Sequence, residues 1–264
     1  MKNNYKAGRS ISRDYSNVTI PCDNTMEIEY SSGATRLKLV SIQNDIIEQM
    51  ESEKNCHIDK TTTEEVLKAI SKLNTGKAPG SDGLSVEHFR NAPDEFIPTL
   101  VDVINQIFLE KEVPKIVKER IITPVHKTGK DKYLPGNYRG ITVTNVISSI
   151  IERIIKDRIE PDLAKSQSKL ERGFTEKTSS LNAVFIISET IEYSKEKSQE
   201  LFLVTLDAQK AFDRVHHEIL FNKIYHDGIQ GDLWLLIQNM YREVTVKVKW
   251  NNSLSEQFTQ ELGG

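Results

Sequence analysis

Cysteine is scarce in this sequence. Its 264 residues include two cysteines, Cys22 and Cys56, and neither belongs to a CxxC motif. Two cysteines are too few for the disulfide framework of a small secreted domain, and without a nearby cluster of histidines they do not indicate a zinc site. Neither cross-links nor structural zinc are therefore expected in this fold, and the length suffices for one large domain or two small ones.

Long apolar runs are also missing. No stretch approaches the roughly 18 apolar residues of a membrane span, and the polar start MKNNYKAGRS has no hydrophobic region of the secretory kind. We therefore expect an intracellular protein, in the nucleus or the cytoplasm, that does not enter a membrane. The formal net charge of −3 excludes a strongly basic protein, so any affinity for nucleic acid has to come from a local group of basic residues.

Helical periodicity comes early in the chain, and the strand-like stretches are few and dispersed. Thr62 and Glu65 have the spacing of a capping box at the start of a helix. This mixture predicts an α+β fold rather than a regular β-α-β array. We divide the chain into a polar N-terminal segment over 1–35, an N-terminal extension over 36–92, a middle region over 93–200 and a C-terminal region over 201–264.

Two prolines mark helix boundaries in this prediction. Pro93 opens a helix whose apolar residues, from Phe96 to Phe108, recur at helical spacing, and Pro161 helps to end the next helix. The remaining predicted elements are helices over 37–53, 179–196, 214–227 and 232–243, and strands over 117–127, 201–206, 244–250 and 254–260.

The stretch LFLVTLDAQKAFDRV, residues 201–215, places a carboxylate directly after an apolar run. Leu201 to Leu206 fit a strand buried on both faces, and an unpaired carboxylate inside such a strand would be costly. Asp207, at the end of the run, can instead face a cleft and bind a hard cation such as Mg²⁺, or it can cap a turn. The local pattern leaves both interpretations open.

Asp213 precedes a stretch with helical spacing, and we predict that it is the N-cap of that helix rather than a metal ligand. His216 and His217 follow it. Adjacent side chains on a helix point about 100° apart, so the two histidines are not expected to share a metal ion.

Four blocks carry a resemblance to a known family. LVTLDAQKAFDRV is preceded by LNTGKAPGSDGLSVEHF (73–89), IITPVHKTGKDKYLPGNYRGITVTN (121–145) and ERGFTEKTSSLNAVF (171–185). In chain order these four blocks resemble blocks of reverse transcriptases, especially those of non-LTR (LINE-type) retrotransposons. LVTLDAQKAFDRV resembles the block of that family called motif A. Each block alone is moderately specific, whereas four in one order over residues 60–264 indicate the family.

The resemblance implies a partial right-hand polymerase, with fingers, an incomplete palm and a small antiparallel sheet. Such polymerases use two Mg²⁺ ions, with Mn²⁺ as an alternative, to activate the primer 3′ hydroxyl and stabilise the leaving pyrophosphate. The family's first metal-binding aspartate corresponds to Asp207, and the backbone carbonyl of Ala208 would also reach a metal. The family's aromatic gate corresponds to Phe212, whose ring would exclude a 2′ hydroxyl. A core aromatic is the alternative interpretation of Phe212.

Basic residues are in local excess between residues 113 and 142. A flexible hairpin with this charge could close over a nucleotide or grip a template backbone. By the resemblance, Lys127 and Arg139 would contact phosphate, and an ordinary solvated hairpin is the alternative interpretation. The basic residues are Lys115, Lys118, Arg120, Lys127, Lys130, Lys132 and Arg139, against the acidic Glu119 and Asp131.

The loop GKAPGSDG is glycine-rich but lacks the GK[ST] ending of a phosphate-binding loop. We interpret Gly76, Gly80 and Gly83 as turn glycines.

The implied function is RNA-templated DNA synthesis, with an RNA template, a DNA primer and dNTP as partners. The sequence departs from the family at Gly140, Glu171 and Thr175, where proline, glutamine and arginine are usual. It stops where motif B would begin, so we expect this chain alone not to polymerise. A non-catalytic RNA-binding module derived from a retroelement is the alternative function. A phosphohydrolase centred on Asp207 would need a cluster of histidines or carboxylates that the sequence lacks.

Overall fold

The computed structural model describes residues 41–48, 57–168, 170–175, 178–208, 211–251, 253–260 and 262–263. The segment over 1–35, both cysteines and the flanks of the helix predicted over 37–53 lie outside these residues. The helices are α1 (41–48), α2 (Thr63–Lys72), α3 (Val86–Arg90), α4 (Phe96–Glu110), α5 (Lys115–Lys118), α6 (Val146–Ser166), α7 (Ser180–Glu196), α8 (His217–His226) and α9 (Gly231–Tyr241). The strands are β1 (Glu119–His126), β2 (Tyr138–Thr144), β3 (Thr245–Trp250), β4 (Ser253–Leu254) and β5 (Phe258–Thr259).

The α+β prediction is confirmed. None of the helices described is long and apolar enough to cross a membrane.

The main core lies between α2, α3, α4, α6 and α9. Apolar residues at helical spacing place one face of each helix inside, so that Val66, Ile104, Ile150 and Leu236 are fully buried. The predicted capping box starts α2: the Glu65 amide donates to Thr62 Oγ1 at 3.2 Å and the Thr62 amide donates to Glu65 Oε2 at 3.1 Å. This part of the sequence prediction is confirmed.

A smaller apolar cluster joins α1, α8 and α9. Trp234 is fully buried, packs edge-on against Phe221, and lies beside Ile46 of α1. Its indole N–H donates to the Phe221 carbonyl at 2.8 Å, which satisfies the polar atom of an otherwise apolar side chain.

The sheet is mixed rather than wholly antiparallel. Its strand order is β2-β1-β3-β4, with β5 also paired to β3. β1 and β2 form an antiparallel hairpin, whereas β1 and β3 run parallel with Glu119 opposite Thr245. Parallel neighbours need a long crossover connection, and α6 to α9 lie in the chain between these two strands. The sequence prediction missed this pairing because it considered each strand only with its neighbour in the chain.

Pro161 does not end its helix, contrary to the sequence prediction. α6 continues through it to Ser166. A proline removes one helical hydrogen bond, but the last turn has other bonds: the Gln167 amide and Ser166 Oγ both donate to the Leu163 carbonyl at 3.1 Å. The helix therefore continues five residues beyond Pro161.

Arg158 of α6 binds α2 and the segment that precedes α2. Its guanidinium donates to both carboxylate oxygens of Glu65, at 2.9 and 2.8 Å, and to the Asp59 carbonyl at 2.8 Å. It also lies 5.4 Å from the centre of the Phe108 ring. The hydrogen bonds from Arg158 hold the pKa of the Glu65 carboxyl below its usual range.

Replacing Arg158 by glutamine is expected to lower the free energy of unfolding at pH 7 by about 2–3 kcal/mol, the usual contribution of hydrogen bonds to charged groups. Because Glu65 has a lowered pKa in the folded protein, its stabilising effect is present above its ordinary pKa of 4.5 and is lost as the pH falls through the lowered value. The difference between Arg158→Gln and wild type should therefore shrink in urea titrations at pH 4. Arg153→Gln in the same helix is the control. An equal loss in both variants would show that the Glu65 pair is not responsible.

Asn145 connects three segments beneath the sheet. It is 2% exposed and stands between β2 and α6. Its Oδ1 accepts hydrogen bonds from the Ser81 amide at 3.0 Å and Ser81 Oγ at 3.2 Å, and its Nδ2 donates to the Ile116 carbonyl. An asparagine at this position usually caps the helix with its side chain, but this one holds the GKAPGSDG loop instead. Gly80, which precedes Ser81, is buried against it.

Candidate nucleotide and nucleic-acid interface

The hairpin of β1 and β2 carries the predicted phosphate contacts. Its antiparallel register runs from Arg120 opposite Thr144 to His126 opposite Tyr138. The connecting loop is held by its own hydrogen bonds: the Lys127 amide donates to the Asn137 carbonyl at 2.8 Å, and Tyr138 Oη donates to the Lys132 carbonyl at 2.9 Å. The hairpin is therefore an ordered platform for the basic side chains it carries.

Arg139 is exposed on this hairpin, opposite Val125. Within the described part of the chain its guanidinium has neither a hydrogen bond nor an ion pair, so its donors remain accessible. Lys127 lies at the end of β1, and its ammonium donates one hydrogen bond to the Gly136 carbonyl at 3.0 Å. An ammonium has three donors, which leaves two for another ligand. The structure thus places both predicted phosphate contacts on one hairpin.

Three of the basic residues counted with the hairpin have other roles. Lys115 pairs with Glu243 at 3.4 Å. Lys118 is buried, and its Nζ donates to the Arg242 carbonyl at 3.2 Å; burial lowers the pKa of its ammonium. Arg120 is half-buried and bonds Gln260. The local excess of basic residues over 113–142 therefore does not form one free surface, because Lys115, Lys118 and Arg120 make contacts within the fold.

Sequence reasoning missed two basic residues on the same sheet. Lys247 and Lys249 lie in β3, directly beside β1. The signal was present in TVKVKW, where lysine and valine alternate. In a strand this alternation puts the lysines on one face and the valines on the other, and Val246 is indeed buried.

The apolar run before Asp207 is not a strand. Residues 201–208 have no regular secondary structure and are exposed, with Leu206 95% accessible. A stretch that is apolar on both faces forms a strand when neighbours cover both faces and pair with its edges, and no described strand pairs with this one. The predicted buried strand over 201–206 is therefore wrong, and Asp207 and Ala208 lie in the same exposed, irregular segment.

Phe212 contacts Phe174, which belongs to the block over 171–185, called the GF block below. It lies in a short 3-10 turn, Phe212–Arg214, and is 65% exposed. Its ring meets that of Phe174 edge-on, with centroids 5.9 Å apart. Phe212 is therefore not a core aromatic in this structure.

Asp213 is not the N-cap of the following helix, contrary to prediction. It belongs to the same 3-10 turn as Phe212, and α8 begins later with His216 as its N-cap. Gly263 packs against this turn: its amide donates to the Val215 carbonyl at 3.0 Å, and its carbonyl lies 2.6 Å from His217 Nε2. The turn Phe212–Arg214 and the start of α8 therefore pack against residues 262–263. No pattern in the sequence predicted this contact.

A family model described as "Reverse transcriptase (RNA-dependent DNA polymerase)" matches residues 125–263, which is more than half of the chain and includes the hairpin loop, β2 and motif A. The chain belongs to the reverse transcriptase family. Its predicted resemblance to the enzymes of non-LTR retrotransposons is confirmed by its relatives.

Three of these relatives show the extent of the similarity. The "RNA-directed DNA polymerase from mobile element jockey" of Drosophila melanogaster is 29% identical over 72% of the chain. The "Transposon TX1 uncharacterized 149 kDa protein" of Xenopus laevis is 28% identical over 72% of the chain. The "Probable RNA-directed DNA polymerase from transposon X-element" of Drosophila melanogaster is 32% identical over 58% of the chain. The matched regions span 21%, 15% and 17% of these relatives' lengths.

Reverse transcriptases generally depend on metal ions and act on a nucleic-acid template, a primer and nucleotides. In the described part of this chain, no group of three or more histidine, cysteine, aspartate or glutamate side chains is placed to hold a metal. Asp207 brings one carboxylate, and hard cations take about six oxygen ligands. The described residues by themselves therefore do not form a complete metal site.

The departures from the family pattern have local structural consequences. A Cβ at Gly140 would lie 3.0 Å from Ile122 Cγ2, so glycine allows the two hairpin strands to approach closely. The hydroxyl of Thr175 accepts a hydrogen bond from Gln167 Nε2 at 2.8 Å, which joins the GF block to the end of α6.

Proposed function

We propose that this chain serves in RNA-templated DNA synthesis, with an RNA template, a DNA primer and dNTP as its partners. The observation that carries the proposal is the ordered hairpin that presents Arg139 and Lys127 with accessible donors, both of them inside the family-matched region. A guanidinium binds phosphate oxygens through paired hydrogen bonds, and an ammonium binds them as a point charge. The pair suits the triphosphate of an incoming nucleotide. An intracellular location, in the nucleus or the cytoplasm, belongs to the same proposal.

Asp207, with the backbone carbonyl of Ala208, is proposed as a ligand of the catalytic metal. The accessible carboxylate is the kind of oxygen ligand that Mg²⁺ prefers. The complete enzyme would use two Mg²⁺ ions, for which Mn²⁺ is an alternative. Such ions stabilise the charge of the attacking and leaving oxygens in a phosphoryl transfer.

The test is a primer-extension assay that compares an RNA template with a DNA template of the same sequence. The assay uses the protein together with any further residues that its reading frame encodes. Extension on RNA supports the proposal. RNA binding without extension under any metal would favour the second candidate, a non-catalytic RNA-binding module, which is consistent with the lack of a complete metal site among the described residues. A protein that neither binds nor copies RNA would contradict both functions.

Phe212 is proposed as the gate that excludes ribonucleotides. Its accessible ring could lie under the sugar of a bound nucleotide, where a 2′ hydroxyl would clash with it. In the extension assay, Phe212→Ala should raise incorporation of ribonucleotides relative to deoxynucleotides by about tenfold or more, equivalent to about 1.4 kcal/mol of lost discrimination. Phe174→Ala removes the neighbouring ring and is the control. An unchanged sugar preference in Phe212→Ala would remove the gate from the proposal.

A further inference from the structure

The two lysines of β3 lie on the same face of the sheet as Arg139. Lys247 is opposite Ile121 in the parallel register of β3 and β1, and Lys249 is two residues further along β3. On β1, Ile121 alternates in phase with Val125, which is opposite Arg139. Directly paired residues share a face, and so do residues two apart in one strand. We call the surface that carries Arg139, Lys247 and Lys249 the basic sheet face.

The cations of the basic sheet face form a diagonal row. Lys247 is opposite Ile121 of β1. Lys249 lies two residues further along β3, toward the loop of the hairpin. Arg139 is opposite Val125 of β1, which is a further two residues toward the same loop. Lys127 follows at the end of β1. Each step is about 7 Å along the strands, and each strand is about 4.8 Å from the next. The row therefore runs across three strands toward the proposed nucleotide site.

This face is open to solvent near the hairpin loop and at Lys249, whereas Lys247 and Ile121 are half-buried. Val125, Ile141 and Leu254, which occupy positions between or beside the cations, are 49%, 49% and 53% exposed. On the opposite face Val246 is 1% exposed. Among the described residues, neither the Lys247 nor the Lys249 ammonium has a hydrogen bond or an ion pair. Glu119 is the single carboxylate on the described strand positions of this face, at the end away from the hairpin.

We propose that the basic sheet face binds the phosphate backbone of the unpaired template RNA. A single triphosphate is served by the hairpin cations, whereas a row that continues across β3 suits a polymer with a phosphate at every nucleotide. The exposed aliphatic side chains between the cations can contact the sugars and bases that an unpaired strand leaves accessible, and a duplex would not offer these groups. In a template–primer complex, the unpaired strand is the template that has not yet been copied. The inference rests on the proposed function.

The experiment measures binding of a short, fluorescently labelled single-stranded RNA to this chain by anisotropy. Lys247→Gln/Lys249→Gln is expected to raise the Kd about tenfold. Two lost phosphate contacts should also reduce the slope of log Kd against log salt by about 1.4, since each contact to a single strand contributes about 0.7. Lys165→Gln/Lys195→Gln, which removes the same charge from exposed helical positions, should bind within about twofold of wild type.

The outcomes separate this inference from the proposed function. If wild type binds RNA and the β3 double variant binds it equally well, the inference is wrong while the proposed function stands. If wild type binds no RNA, the proposed function is wrong, and so is the inference that rests on it. Lys247→Arg/Lys249→Arg keeps the charge and should restore the affinity, and failure to do so would also overturn the inference. A double variant that loses dNTP affinity while retaining RNA affinity would reassign the lysines to the nucleotide site, against the inference.

Discussion

Gly80→Ala is expected to lower the free energy of unfolding by about 3–5 kcal/mol, which combines the usual cost of overpacking with that of lost buried hydrogen bonds. A Cβ at residue 80 would lie 2.1 Å from Asn145 Oδ1 and 2.9 Å from Asn145 Cα. These atoms cannot move aside freely, because Asn145 is buried and bonds both Ser81 and the Ile116 carbonyl. The added methyl group would therefore force the GKAPGSDG loop away from the base of the sheet.

The measurement is urea denaturation at neutral pH, with Gly136→Ala as the control. An added Cβ at Gly136 has no atom within 4 Å, so that variant should stay within about 0.5 kcal/mol of wild type or gain slightly. Asn145→Ala should itself cost about 3 kcal/mol, because it leaves buried donors and acceptors without partners. In that background Gly80→Ala should cost less than in wild type, since part of the obstacle is gone. A wild-type unfolding curve for Gly80→Ala would mean that the loop does not contact Asn145.

Asp207→Ala is expected to reduce RNA-templated primer extension at least 10³-fold, about 4 kcal/mol in the barrier. The carboxylate is accessible, and within the described part of the chain it has neither a hydrogen bond nor an ion pair. Its removal should therefore leave the folded structure intact and act only on the proposed metal ligation. The assay uses the protein with any residues that its reading frame encodes on either side, and the thermal unfolding temperature should be unchanged.

Asp213→Ala is the matched control for Asp207→Ala. It removes the same group six residues away, from the exposed turn Phe212–Arg214. We expect extension within about threefold of wild type for this variant. Undiminished extension by Asp207→Ala, or an equal loss in both variants, would contradict the assignment of Asp207.

Features encoded within a few residues could be predicted from the sequence. The capping box of Thr62 and Glu65 needs only two side chains and the adjacent backbone, and the start of α7 after Ser179 needs only a local turn. The hairpin joins two extended stretches that are close in the chain. Such features depend little on the rest of the fold, so local patterns were sufficient.

Features that depend on distant partners could not be predicted in the same way. Gly80 was interpreted as a turn glycine, but its role is the close approach to Asn145, a residue more than sixty positions later. Lys118 was counted as a surface charge, and only the fold shows that it is buried against the Arg242 carbonyl. The stretch over 201–206 has the composition of a strand, but composition cannot supply the neighbouring strands that would pair with it.

The parallel pairing of β1 with β3 has a consequence for how the chain folds. More than a hundred residues separate Glu119 from Thr245, so this pairing closes a long loop with a large entropic cost. During synthesis the hairpin can form early, but one edge of β1 stays unpaired until residues 245–250 have left the ribosome. An unpaired edge is a template for aggregation. The nascent protein is therefore most vulnerable between the emergence of β2 and that of β3, when chaperones would be most useful.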